Sequence, residues 1–166
     1  VGTDGGARKY DGVSFQNFTV ENVLIDNDVE KIYQDSKGII WFGTAIGVCQ
    51  YIPDSLSDEV AFKSFAKAPN APRIKVRDIM ESSTGEIWMA GGDGAYMYYP
   101  DAEAGGELVF SNYSYKFVLK IQDGKAIIED DDGEIRLETT EPIRMLMRAR
   151  RVSSDNGFYP RPLAAQ

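Results

Sequence analysis

An all-β fold built from four-stranded antiparallel units is what this sequence predicts, and three observations carry the prediction. The stretch Val29 to Tyr51 recurs 47 positions later as Val76 to Tyr98, tryptophan on tryptophan. Both copies consist of short β-branched and aromatic runs separated by Gly, Asp, Asn and Ser, the composition of strands joined by tight turns. No segment before residue 143 carries the apolar period of an amphipathic helix.

The repeat is read residue by residue. Val29 meets Val76, Ile32 meets Ile79, Gly38 meets Gly85 and Ile40 meets Ile87; beyond Trp41 and Trp88, Gly47 meets Gly94 and Tyr51 meets Tyr98. A weaker copy follows 48 positions on, keeping Ile127, Gly133 and Ile135, with Arg136 in place of the tryptophan and Gly124 in place of the valine. At the other end Gly2 to Tyr10 repeats Gly43 to Tyr51. Self-similarity at this period is the mark of stacked supersecondary units.

Within a unit the first strand runs over Val29–Gln34 and stops at the turn Asp35-Ser-Lys-Gly38. The second is Ile39–Phe42, the third Val48–Tyr51 and the fourth lies around Ala61 to Phe65. Prolines 53, 69, 72 and 100 fall at or near connections, where a missing N–H does least harm. Such units cannot bury both faces alone and stack around an axis as blades, so the expected architecture is an incomplete β-propeller of about three blade equivalents, fewer than the roughly four to eight of a closed ring. Its expected extent is residues 1–142: a half blade over 1–18, blades over about 27–66 and 74–116, and a degenerate half blade over about 120–140. Residues 143–166 are expected to be a basic tail. Trp41 and Trp88 are expected to fill the space between blades.

Composition narrows the function. The 166 residues hold no His, which removes Ser-His-Asp and Cys-His hydrolases, His-ligated zinc and a phospho-accepting His. A net charge of −8 disfavours nucleic acid as a partner. No apolar run reaches the roughly 20 residues of a membrane span, and the N-terminus does not read as a signal peptide. The lone Cys49 forms no internal disulfide. From Ile143 onward five Arg face one acid, Asp155, so the rest of the chain is the more acidic.

The pattern V-x-x-I-x-x-[D/S]-x-x-G-x-I-W-[F/M]-G-T-x-x-G-V-x-x-Y resembles the two-component regulator propeller repeat. The first full copy matches at Asp35, Gly38, Trp41, Gly43, Thr44, Gly47 and Tyr51; the second departs at Ser82 and at Ala90-Gly91. The resemblance implies the sensor propeller of a hybrid histidine kinase: a periplasmic or extracellular, non-catalytic module that senses a carbohydrate-like or other small polar ligand and needs no cofactor. It implies either a fragment of a larger sensor or a homo-oligomer that completes the ring. A lyase or hydrolase on a propeller, and a purely structural interaction module, are the alternatives; the absence of His opposes lyases that use one as base.

Candidate ligand residues follow from repeat position. Loops entering the first strand contribute Asp26, Asn27, Asp28, Arg73 and Lys75; loops after the second strand contribute Thr44 and Asp93. Their acids, amides and bases suit hydrogen bonding to a polar ligand. Asp35-Ser-Lys-Gly38 and Asp130-Asp-Asp-Gly133 superficially suit calcium. Ser82-Ser-Thr-Gly85 holds the same place without carboxylates, so a turn is expected rather than a metal site. Gly91-Gly-Asp-Gly94 and Gly2-Thr-Asp-Gly-Gly6 lead into strands instead of a helix N-terminus and are expected to be turns needing positive φ, not phosphate cradles.

Overall fold

The computed structural model describes residues 1–10, 12–53, 61–99, 110–112, 124–129, 134–139 and 145–148. They form four antiparallel sheets in which strand order follows chain order. The first sheet holds β1 (Gly2–Thr3), β2 (Gly6–Tyr10) and β3 (Phe15–Phe18). The second holds β4 (Val29–Gln34), β5 (Ile40–Thr44), β6 (Gly47–Tyr51) and β7 (Phe62–Ser64). The third, β8 (Val76–Glu81), β9 (Ile87–Gly91), β10 (Gly94–Tyr98) and β11 (Phe110–Asn112), repeats it strand for strand. The fourth holds β12 (Gly124–Glu129), β13 (Glu134–Thr139) and β14 (Met145–Arg148).

The first sheet corresponds to the second, third and fourth strands of a blade, and the fourth sheet to the first, second and third. Three strands therefore stand at each end where half blades were expected. Strand structure continues past position 142 as β14. The turn Asp130–Gly133, Pro100 and the chain beyond Arg148 lie outside the described residues.

Alternation along β5 and β9 sends successive side chains to opposite faces, and each face meets a different neighbour. Phe42, Cys49 and Tyr51 of the second sheet pack with Ala7 and Phe18 of the first. On the other face Trp41 and Val48 pack with Val76, Ile79, Ile87 and Tyr98 of the third sheet. Trp88, Ala90 and Met97 of the third pack with Ile127 and Ile135 of the fourth. Three cores thus lie between four sheets, and both tryptophans are inter-blade residues as expected. Trp41 stacks on Phe65 at 5.8 Å between ring centroids and meets Tyr98 edge-on at 4.9 Å, arrangements that add to the area buried. Burial pushes the Cys49 thiol up to about 11, against a smaller opposing effect of the Ile25 backbone.

Tight stacking requires small residues on the second strand. A Cβ on Gly43 would lie 2.8 Å from the Val76 carbonyl oxygen, and one on Gly2 would lie 3.0 Å from that of Val29. These are the same contact at successive interfaces. Where the second strand instead carries Ala90, the next unit's valine position is Gly124, so the volume is exchanged across the interface.

The hairpins between second and third strands need glycine for a different reason. Gly6, Gly47 and Gly94 take φ of 110°, 142° and 133°, a region L side chains avoid. Gly2 and Gly91 do not share it. In the two glycine-rich segments, the expectation of positive φ therefore holds at the hairpin glycine, while Gly2 and Gly91 are set by close approach.

Candidate functional site

The first strand of each blade forms the inner edge, and a bulge recurs there. Thr44 pairs with Val29 and Gly43 with Lys31, leaving Glu30 extra; Gly91 pairs with Val76 and Ala90 with Asp78, leaving Arg77 extra. In the fourth sheet the shift between Gly124 and Ala126 leaves Lys125 extra. A bulge bends its strand and re-aims a side chain, and here it does so where the entering loop meets the inner edge.

The entering loops are fixed by backbone bonds at equivalent positions. The Ala45 N–H donates to the Asp28 carbonyl at 3.0 Å and the Gly92 N–H to the Lys75 carbonyl at 3.2 Å. The neighbouring sheet adds the Gly6 N–H, which donates to the Asn27 carbonyl at 2.8 Å. Asp26 and Asn27 are committed locally: an Asp26 carboxylate oxygen accepts the Asp28 N–H at 2.7 Å, and the Asn27 amide oxygen accepts the Val20 N–H at 2.9 Å.

The expected site residues divide into two groups. Asp28 and Lys75 come together across the blade interface, with Lys75 Nζ 3.6 Å from an Asp28 carboxylate oxygen and hydrogen-bonded to Glu30. The Glu30 hydrogen bond holds the Lys75 ammonium above its ordinary pKa, opposed by desolvation and aided by the charges of Glu30 and Asp28. Arg73, two residues before Lys75, is exposed. Thr44 and Asp93 instead brace hairpins. The Thr44 hydroxyl, fully buried, donates to the Gly47 carbonyl at 3.0 Å, as Thr3 does to Gly6. Both Asp93 carboxylate oxygens accept the Tyr96 hydroxyl at 2.8 Å.

The residues that sequence reasoning missed are Glu30, Lys31, Arg77 and Asp78. Lys31 Nζ lies 2.6 Å from Asp78, whose other carboxylate oxygen accepts the Ile127 N–H at 3.1 Å, so one aspartate ties three inner strands together. A signal for them exists. Across the 47-residue offset Asp26, Asp28 and Glu30 become Arg73, Lys75 and Arg77, and Lys31 becomes Asp78. Every charge reverses.

Asp35 shows what the first turn of the repeat is for. One carboxylate oxygen accepts the Lys37 and Ile39 N–H groups at 3.0 and 2.9 Å, and the other accepts the Trp41 indole N–H at 2.9 Å. In the next unit the Ser82 hydroxyl bonds Glu86 at 2.6 Å, so a carboxylate from a different position serves the turn. Among the described residues no group of three or more His, Cys, Asp or Glu is placed to hold a metal, and no helix is long and apolar enough to cross a membrane.

Face-stacked antiparallel sheets with adjacent, bulged inner strands are blades of a β-propeller. Residues 23–45 match the two component regulator propeller family, so the chain carries that family's repeat. Among solved structures, it is similar to the extracellular domain of the hybrid two component system BT3049 of B. thetaiotaomicron. That match has 28% identity and a TM-score of 0.56, over 79% of this chain and 17% of that one. The corresponding domain of BT4673 from the same organism matches at 18% identity and a TM-score of 0.64, over 87% of this chain and 19% of that one. PorZ, a surface component of the type-IX secretion system of Porphyromonas gingivalis, matches at 16% identity and a TM-score of 0.56, over 95% of this chain and 23% of that one. The last two likenesses concern the fold alone. The chain thus spans less than a quarter of the length of each of these structures. No curated protein matches it. A periplasmic or extracellular location agrees with the BT3049 domain, which is extracellular.

Proposed function

We propose that this chain is part of the ligand-recognising propeller of a two-component-type sensor, and that it binds without catalysing a reaction. The observation that carries this reading is the repeat at residues 23–45, together with likeness to an extracellular domain of a hybrid two component system. The ligand is a small polar, carbohydrate-like molecule held at the axial end where the loops entering β4 and β8 meet. Asp28 and Lys75 form the wall of that site, joined by the bulge residues Glu30 and Arg77, and Arg73 supplies an exposed donor fork. Asp26 and Asn27 set the shape of the loop; Thr44 and Asp93 hold the hairpins behind it.

A thermal-shift screen against mono- and oligosaccharides tests the reading. A binder is expected to raise the midpoint, by mass action on the native state, with no product formed, and Arg73→Ala is expected to weaken it several-fold. Turnover of any compound in the screen sinks the non-catalytic reading; a binder indifferent to Arg73→Ala moves the site elsewhere.

Self-association belongs to the same proposal. Tyr10 and Phe15 are paired across β2 and β3 with ring centroids 4.7 Å apart, yet are 57% and 66% exposed. An exposed apolar pair on a blade face suits contact with a second copy, which sedimentation equilibrium reads directly.

A further inference from the structure

A cavity of about 430 Å³ lies between the second and third sheets, away from the axial loops. We infer that it is a second binding site, for a small organic carboxylate with an apolar body. The inference is independent of the axial site and goes beyond it.

Gln50 carries the argument. Its side chain lines the cavity and is 3% exposed, yet its amide makes no hydrogen bond among the described residues. The amide atoms are not sealed among the fully enclosed polar atoms, so they open onto the cavity, where a ligand can pair them. The repeat shows that packing alone does not call for an amide at this position. The equivalent of Gln50 one blade on is Met97, fully buried in the next inter-blade core. Its strand neighbour Lys63 likewise corresponds to Ser111: Tyr51 pairs with Phe62 where Tyr98 pairs with Phe110, placing Lys63 and Ser111 one residue further along. Two polar residues thus face an interface whose counterpart is apolar or small.

The charge of the ligand follows from which polar groups are committed. Asp35 and Glu81 line the cavity, but both are satisfied within the protein. Asp35 accepts three N–H groups, and Glu81 accepts the Ser36 N–H and hydroxyl at 2.7 Å each, across the interface. The Lys37 ammonium, also in the lining, enters no ion pair among the described residues. An amide donor together with the Lys37 ammonium suits a carboxylate. The apolar body would meet Ile39, Ile52, Phe62 and Ile87. Trp41 offers no face for a sugar ring, because Phe65 stacks on it at 9° and Tyr98 meets it edge-on. The volume is near the lower end of the roughly 300–1,000 Å³ usual for small-molecule sites.

The test is NMR titration of the whole chain with benzoate and hexanoate, following the Gln50 side-chain amide. Both are expected to shift that resonance saturably, whereas benzamide and hexanol should not. Gln50→Met, which installs the residue of the next blade, is expected to raise the thermal midpoint and abolish carboxylate binding; Lys37→Gln should weaken binding at least several-fold. The inference is overturned if neither carboxylate gives a saturable shift, if the neutral analogues bind as well, or if Gln50→Met binds undiminished. Arg73→Ala, which disturbs the axial site, should leave the carboxylate titration unchanged, so failure of one site is distinguishable from failure of the other.

Discussion

At the scale of single residues, the most informative position is Asp35. Its two oxygens accept three N–H groups, closing the first turn and fixing the Trp41 indole in one stroke. Hydrogen bonds to a charged acceptor contribute more than neutral ones, and orphaning their donors adds a desolvation cost. Asp35→Ala is therefore expected to destabilise the protein by about 2–4 kcal/mol, read as a lowered denaturant midpoint. Asp35→Asn should recover only part, since an amide has one acceptor oxygen. An Ala variant with wild-type stability would show that the turn closes without the carboxylate. The turn itself was legible in Asp-Ser-Lys-Gly; the bond to Trp41, six residues on, was not, because nothing local says which side chain a buried carboxylate will meet.

At the scale of elements, the strands and hairpins follow from the sequence because period and turn chemistry are local properties. The bulges at Glu30, Arg77 and Lys125 do not, since an extra residue leaves the alternation of a short strand ambiguous until its partner is known. The same limit hid the axial cluster: the loops were identifiable by repeat position, but whether Thr44 faced a ligand or its own hairpin depended on pairing. Close packing between strands gives a prediction here. Gly43→Ala places a methyl 2.8 Å from the Val76 carbonyl oxygen and 3.0 Å from its side chain, and such overpacking costs about 1–3 kcal/mol. In combination with Val76→Gly the loss should fall short of the sum of the two single losses, because Ala90 and Gly124 already use that pairing one interface later. Strict additivity in a double-mutant cycle would mean that the two positions do not share space.

At the scale of the molecule, four sheets share three cores, and each inner sheet spends both of its faces on neighbours. The first sheet has an outer face whose aromatic pair is open to solvent. Self-association through that face predicts a concentration-dependent mass above 18.4 kDa in sedimentation equilibrium, shifted toward the single chain by Phe15→Ser. A single chain at all concentrations, or association unaffected by Phe15→Ser, would exclude this face as the contact. The stacking of blades was legible from the repeat; the composition of the end sheets was not, because the third strand of the last one lies outside the recognisable motif.

The reversal of charge along the inner edges also answers a hazard peculiar to tandem architecture. Near-identical modules invite misassembly, in which a sheet settles beside its own duplicate from another molecule. Here such a mistake would put Asp28 of one copy in the place of Lys75, against Glu30 and Asp28 of the other, and Lys31 would find a lysine where it needs Asp78. Like charges that close repel, so the alternation distinguishes a correct neighbour from a counterfeit.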